Sequence, residues 1–273
     1  MIKFPKEYLD FKDTLECGQL FRFKEYENGY LVFSLDKCAK LYYDGDNAVI
    51  DGDESFFEYF DLSRDYSQII TRVKGYGVEK LSAAAERHKG LRILRQNEYE
   101  ALSSFIVSQN NNIPRIKKTI ENLCAALGEK KTFCGTDYYA FPTPEALAKA
   151  PLSLYKSLGL GYRDEYIKGT AERIVGGEIS FEELKKQPTE LLRKSLVSIK
   201  GVGNKVADCA LLFGFGRTDA FPVDTWIEKL YHEDFGGELT DRKKITAYFT
   251  QLFGEDSGYV QQYLFYAKRE NEM

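Results

Sequence analysis

The chain is predicted to be α+β, with an N-terminal antiparallel β-sheet domain and accompanying helices over residues 1–95, then an all-helical domain over residues 96–273. Three observations carry this reading. Residues from about 14 to 72 are rich in Tyr and Phe, alternate in polarity over Tyr30–Leu35, and are interrupted by Asn28-Gly29 and Asp44-Gly45, both hairpin dipeptides. From about Tyr66 onward apolar residues recur at helical spacing. Gly201-Val202-Gly203 then stands between two apolar helical runs, as a tight turn with a new helix from about Asn204.

FRFKEY and YLVFSL flank Asn28-Gly29, which predicts a type I′ turn, and AKLYY and NAVID flank Asp44-Gly45, which predicts a second hairpin. The resulting sheet needs cover on one face, and the neighbouring helices supply it. SQIITRVKGYGVEKLSAAAERH reads as helix broken at Gly75-Tyr76-Gly77. LRILRQNEYEALSSFIVSQ brings a buried helix that stops at Gln109-Asn110-Asn111-Asn112, because asparagine amides compete for backbone groups. Pro114 suits the first turn of the next helix, IPRIKKTIENLCAAL. After a loop around Phe141-Pro142-Thr143-Pro144, helical spacing resumes in LYKSLGLGYRDEYIKGTAERIV. Beyond the Gly-Val-Gly turn, TWIEKLYHEDF, TDRKKITAYFTQLFG and SGYVQQYLFYAKRE complete the helical part.

With 273 residues, 43% hydrophobic and 29% charged, the chain is long enough for one large or two ordinary domains with real cores. Its first residues, MIKFPKEYLDFKD, hold neither a long apolar stretch nor a cleavage signal. The expectation is no membrane insertion and a cytoplasmic location, beside the nucleoid if the source is bacterial. Five cysteines lack paired C-x-x-C spacing, so reduced thiols are expected, with no zinc site and no cofactor. A net charge of −4 argues against a general polyanion binder. Local basic groups remain at Arg115, Lys117, Lys118, Arg193, Lys194, Lys200 and Lys205, and their use against a polyanion predicts steep salt sensitivity. A monomer is expected.

The chemistry concentrates around the Gly-Val-Gly turn. Gly201 and Gly203 let the backbone bend sharply and approach another backbone, and the helix after them starts with unpaired N–H groups. Such a start holds a phosphate through main-chain donors and the positive helix end. Lys205 stands at that helix start. A lysine amine is nucleophilic only when neutral, and the positive end of a helix disfavours a cation. Asp224 follows Pro222-Val223 at the N-cap of the next helix, where a carboxylate accepts backbone N–H bonds. Singly, each feature has an ordinary reading as a turn, a solvated lysine or a cap.

Together, GVGNKVADC and the later PVD resemble the helix-hairpin-helix DNA glycosylases, and most closely their 8-oxoguanine branch, with Lys200 where that branch often has proline. CGQLFRF, QNNNIPR, LGLGYR and QQYLF extend the resemblance over nearly the whole chain, roughly Leu9 to Lys268. It implies a sheet domain like that of TATA-binding protein, then a helix-hairpin-helix domain, and an enzyme that excises 8-oxoguanine, preferably opposite cytosine, and cleaves the strand. By the same resemblance, Lys205 attacks C1′ and forms a Schiff base, and Asp224 stabilises the charge developing there. The Gly18 carbonyl meets the lesion's N7–H, Gln261 bonds the Watson–Crick edge, and Phe265 and Cys209 face the two sides of the base. Asn110 fills the gap, Arg115 reads the orphaned cytosine, and Tyr162 and Arg163 flank that base. Trp226 stands where animal members carry a histidine near the phosphate, and Lys268 where they carry an aspartate. The expectation is a rebuilt donor pair toward phosphate.

The partner implied is double-stranded DNA containing 8-oxoguanine. Alternatives left open are the same fold acting on another damaged purine, a non-enzymatic DNA-binding protein, and an interaction module with an accidental hairpin. The set Gly18, Gln261 and Phe265 argues against the first, and Lys205 with Asp224 against the second.

Overall fold

The computed structural model describes residues 1–270. Strands β1 (Ile2–Pro5), β2 (Phe23–Tyr26), β3 (Gly29–Ser34), β4 (Lys37–Asp44) and β5 (Asn47–Gly52) form one antiparallel sheet in the order β1-β5-β4-β3-β2. Its inward residues Val32, Ala39, Leu41, Ala48 and Ile50 pack on Leu9, on Phe11 and Leu15 of α1 (Phe11–Glu16), and on Phe56 of α2 (Phe56–Tyr59). Alternation along the strands therefore turns one face to these helices.

The turns depart from expectation in one place. Gly29 is not in a left-handed turn but begins β3, paired with Tyr26, and a Cβ there would meet the Leu41 carbonyl oxygen at 1.9 Å. The glycine is needed for close approach between strands, while Glu27 takes the positive φ of 50°. The second hairpin lies where expected, with Gly45 at φ 58°. A third turn, at Leu35, has no sequence signal. Leu35 is held at φ 51° because its N–H donates to Glu100 Oε2 and its carbonyl accepts from Phe141 N–H.

The helices follow as α3 (Tyr66–Gly75), α4 (Glu79–Arg87), α5 (Glu98–Ser108) and α6 (Ile113–Leu127). A two-stranded hairpin, β6 (Lys130–Phe133) with β7 (Thr136–Tyr139), interrupts the part expected to be all helical. Then come α7 (Pro144–Lys149), α8 (Leu152–Ser157), α9 (Asp164–Val175), α10 (Phe181–Lys185), α11 (Thr189–Val197), α12 (Asn204–Phe213), α13 (Thr225–Asp234), α14 (Arg242–Phe253) and α15 (Ser257–Arg269). Every residue of α5 from Tyr99 to Val107 is buried, which fits a helix apolar around most of its circumference.

Packing does not divide at residue 95. Ile69, Ile70 and Val73 of α3 and Leu81 and Ala84 of α4 share one apolar core with Tyr259, Tyr263 and Leu264 of α15. Arg92, fully buried, joins the sheet side to this core. It donates to the carbonyls of Tyr8, Phe60, Asp61 and Arg64, and its guanidinium lies 3.9 Å from the Tyr66 ring centroid. A buried cation with its donors satisfied is tolerable where an orphan is not. None of the described helices is long and apolar enough to cross a membrane.

Candidate active site

The turn between α11 and α12 sets the site. Gly203 is the N-cap of α12 and no side chain caps it, so the first N–H groups stay open. Of the two glycines only Gly201 is obligatory. It lies at φ 87°, and a Cβ there would land 2.3 Å from Tyr166 Cγ. A Cβ on Gly203 would meet nothing, since that residue is extended and faces open space. The expected approach of another backbone is thus replaced by the Tyr166 ring, at Gly201 alone.

Lys205 and Asp224 line the same cleft, of about 860 Å³, with Gly18, Phe105, Asn110, Trp226, Phe265 and Arg269. The Lys205 ammonium sits 5.2 Å from the centroid of the Phe105 ring, a face that attracts a cation. Asp224 is both cap and cleft residue. Its Oδ1 accepts from Trp226 N–H and Ile227 N–H, each at 3.0 Å, which fixes the carboxylate at the start of α13.

Gly18, at φ 90°, is carried next to α15 by a hydrogen bond from Gln262 Nε2 to the Cys17 carbonyl. A Cβ on Gly18 would stand 3.2 Å from Phe265 Cε1, so glycine leaves just enough room beside that ring. Gln261 and Cys209 are 4% and 3% exposed, and neither lines the cleft. Gln261 Oε1 has no hydrogen-bond partner among the described residues. Burial pushes the Cys209 thiol up to about 11, against an opposing pull from Lys205. Its neighbour Asp208 is also buried, and its carboxyl rises to about 6 despite Arg193 Nε at 2.6 Å.

Asn110 is exposed on the cleft rim at φ 45°, between the end of α5 and the Asn112 cap of α6. Arg115 is exposed in the first turn of α6. Tyr162 is 53% exposed, with its ring edge-on to Tyr166.

Three expectations need correction. Arg163 does not reach outward. It is 4% exposed and spends Nε, Nη1 and Nη2 on the carbonyls of Gln109, Asn110 and Leu160, so it holds the asparagine loop in place. Lys268 forms no pair with Trp226, because its ammonium is bound at 2.9 Å by both Glu233 and Asp234, at the far end of α13 from Trp226. Most of the basic groups expected to face DNA are engaged. Lys200 pairs with Glu165, Lys118 with Glu121, and Arg193 with Asp208 and Glu190, while Lys117 lies over Phe23.

Sequence reasoning missed Gln109, Arg242 and Arg269. Gln109 Nε2 donates to the Gly201 carbonyl at 2.9 Å and so ties the asparagine loop to the hairpin. Arg242 lines the cleft near Trp226 while paired to Glu228. The spacing of Arg269, four residues after Phe265, was readable as one helix face.

Comparison with known proteins agrees with this architecture. Residues 1–102 match the family described as 8-oxoguanine DNA glycosylase, N-terminal domain, and residues 103–255 match the HhH-GPD superfamily base excision DNA repair protein. The "Probable N-glycosylase/DNA lyase" of Methanothermobacter thermautotrophicus is 32% identical over 226 residues, covering 76% of this chain and 71% of that protein. The N-glycosylase/DNA lyase of Saccharomyces cerevisiae is 36% identical over 159 residues, covering 54% of this chain and 42% of that one. Among solved structures, the 8-oxoguanine glycosylase/lyase of Clostridium acetobutylicum, bound to double-stranded DNA with cytosine opposite 8-oxoguanine, superimposes with a TM-score of 0.92. That pair shares 37% identity over 97% of this chain and 93% of the other.

Proposed function

Since the chain belongs to the 8-oxoguanine DNA glycosylase branch of the HhH-GPD superfamily of base excision repair proteins, we propose that this cleft excises 8-oxoguanine with Lys205 as nucleophile and Asp224 as its electrostatic partner. The enzyme is a bifunctional glycosylase and lyase acting on duplex DNA. The observation that carries the site assignment is that Lys205 and Asp224, from two different helices, line one cleft with Gly18 and Phe265.

The chemistry follows from the placement. The open N–H groups at the start of α12 grip a phosphate beside the lesion. The extruded base enters against Phe265, where the Gly18 carbonyl accepts from N7–H, and Gln261, buried in the free protein, turns into the cleft so that its Oε1 accepts from the Watson–Crick edge. The Lys205 ammonium must first give up a proton; its amine then bonds to C1′ as the C1′–N9 bond breaks, and the base leaves with its electron pair and takes up a proton. The fixed Asp224 carboxylate stabilises positive charge at C1′ in that step. Opening of the sugar gives a C1′ imine, and loss of a C2′ proton then expels the 3′ oxygen. Arg115, exposed on α6, donates to the unpaired cytosine, which favours that opposite base.

Borohydride trapping on a duplex with 8-oxoguanine opposite cytosine tests the assignment. Wild-type protein yields a covalent adduct and Lys205→Gln none. An adduct with Lys205→Gln, or none with the wild type despite intact binding, refutes the role given to Lys205.

A further inference from the structure

Gln261, Phe265 and Arg269 follow at four-residue intervals on α15 and share one face. The first two have roles in the proposed function, and the third has none. The Arg269 side chain is anchored through Nη2, which donates to the Glu16 carbonyl at 2.5 Å, and through contacts of Nε and Nη2 with Glu270 Oε1 at 3.3 and 3.2 Å. Its Nη1 is buried and has no hydrogen-bond partner among the described residues. That atom would lie 3.3 Å from a Cβ on Gly18, and both residues line the cleft. Native proteins leave few buried donors unpaired, since each forfeits its hydration. Beside an open cleft, an orphaned donor can be satisfied by an acceptor that enters it.

Gln261 Oε1 is the matching case, a buried acceptor without a partner among the described residues. An orphan acceptor and an orphan donor therefore bracket the Phe265 ring along one helix face, about 12 Å apart from Cα to Cα. Resting on the reading of this cleft as an 8-oxoguanine site, we propose that Arg269 is a recognition residue whose Nη1 donates to O8 of the extruded base. The order along the helix assigns the atom. With Gln261 at the Watson–Crick edge and Phe265 on the ring face, Arg269 falls at the opposite, five-membered-ring end. The Gly18 carbonyl takes N7–H there, and O8 is the adjacent acceptor on the side away from Gln261. Guanine presents C8–H in that position, so it leaves Nη1 orphaned and also sets a lone pair against Gly18. Arg269 and Gly18 together read the two features that the lesion adds.

The test exchanges one atom in the DNA and one side chain in the protein. Single-turnover excision is measured against protein concentration on duplexes carrying 8-oxoguanine or 8-thioguanine, which keeps N7–H but places a weak acceptor at position 8. Affinity for a tetrahydrofuran abasic duplex is measured alongside. A charged donor makes the oxygen-to-sulfur exchange raise the half-saturating concentration about 10- to 100-fold in the wild type. In Arg269→Ala the two lesions become equivalent while abasic affinity is kept; Arg269→Gln replaces this variant if it does not fold. Equal use of oxygen and sulfur by the wild type overturns the contact. So does an Arg269→Ala defect that is as large on abasic DNA as on 8-oxoguanine, which leaves Arg269 only its anchoring role at Glu16. An adduct with borohydride but no oxygen preference removes the O8 contact alone. Absence of any adduct removes the reading of the cleft and the O8 contact with it.

Discussion

Replacing each glycine of the hairpin by alanine separates what the fold needs from what DNA binding needs. Gly201 lies at φ 87°, and its new methyl would land 2.3 Å from Tyr166 Cγ and 2.4 Å from Cδ2. The left-handed backbone alone costs about 1–2 kcal/mol with a Cβ present. Displacing a packed ring adds about 1–3 kcal/mol. The combined cost of roughly 2–5 kcal/mol lowers Tm by about 5–20 °C in a chain of this size. Gly203 is extended, at φ −86°, and its Cβ would meet nothing, so Gly203→Ala changes only the N-cap. That change costs about 1 kcal/mol. Its methyl instead enters open space at the cleft that Gly203 lines, beside the helix start where a phosphate is proposed to sit. Thermal unfolding by circular dichroism and affinity for an abasic duplex by fluorescence anisotropy measure the two effects. Gly201→Ala loses mainly stability, whereas Gly203→Ala loses affinity with Tm lowered by only about 2–4 °C. A Gly201→Ala protein melting within about 1 °C of the wild type refutes the steric reasoning, because left-handed strain alone exceeds that shift.

Asp208 supplies a pH dependence. Burial raises its carboxyl from 3.8 to about 6, so protonation favours the folded state. Its contribution is complete below the ordinary carboxylate range and is lost as pH rises through about 6. Chemical denaturation of wild type and Asp208→Asn between pH 4 and 7 should show the wild type losing ground as pH rises, by up to about 3 kcal/mol; a constant difference counts against it. Trp226→Phe should weaken binding of damaged DNA several-fold without altering Tm, because its ring is 39% exposed on the cleft. Lys268→Ala should do the reverse, since it leaves Asp234 buried without one of its cations. Anisotropy and melting curves check both. Alkylation of the native protein at pH 8, followed by mass mapping, should label exposed Cys134. Cys17 and Cys209, pushed up to about 12 and about 11 by burial, should be spared until unfolding.

What was legible in the sequence was local. The start of α12, the Asp224 cap, the stop at Gln109 and the Asn112-to-Pro114 restart each depend on residues within one turn of each other. The break at Gly75–Gly77 is of the same kind. Features that depend on distant partners were not legible. Gly29 reads as a turn residue until Leu41 is placed across from it. The short strands β1, β6 and β7 carry no alternation long enough to count, and the turn at Leu35 exists because Glu100 and Phe141 hold it. Arg163 and Lys268 are ordinary basic residues in sequence. Only packing shows that Arg163 is occupied by carbonyls and Lys268 by carboxylates. Conversely, nothing in a sequence marks the Nη1 of Arg269 as unpaired.

The contacts around Arg163 close a circuit, and the circuit bears on how the protein meets DNA. Arg163 grips the carbonyls of Gln109 and Asn110, and the Gln109 amide holds the Gly201 carbonyl. Gly201 abuts Tyr166, Tyr166 packs edge-on against Tyr162 at 5.9 Å, and the Tyr162 ring lies 4.6 Å from the Arg163 guanidinium. The asparagine loop proposed to fill the gap and the hairpin proposed to hold the phosphate are therefore braced against one another in the free protein. Ordering a loop of this kind on binding costs about 1–2 kcal/mol per residue in backbone freedom, and the brace moves that cost into folding. With the separation of gap filler and phosphate grip fixed beforehand, the duplex must do the deforming. A duplex weakened at the lesion bends and unpairs at lower cost than an intact one. On the proposed reading, two loops braced in this way favour damaged DNA before any base edge is read, and this adds to the discrimination proposed for the Gly18 contact.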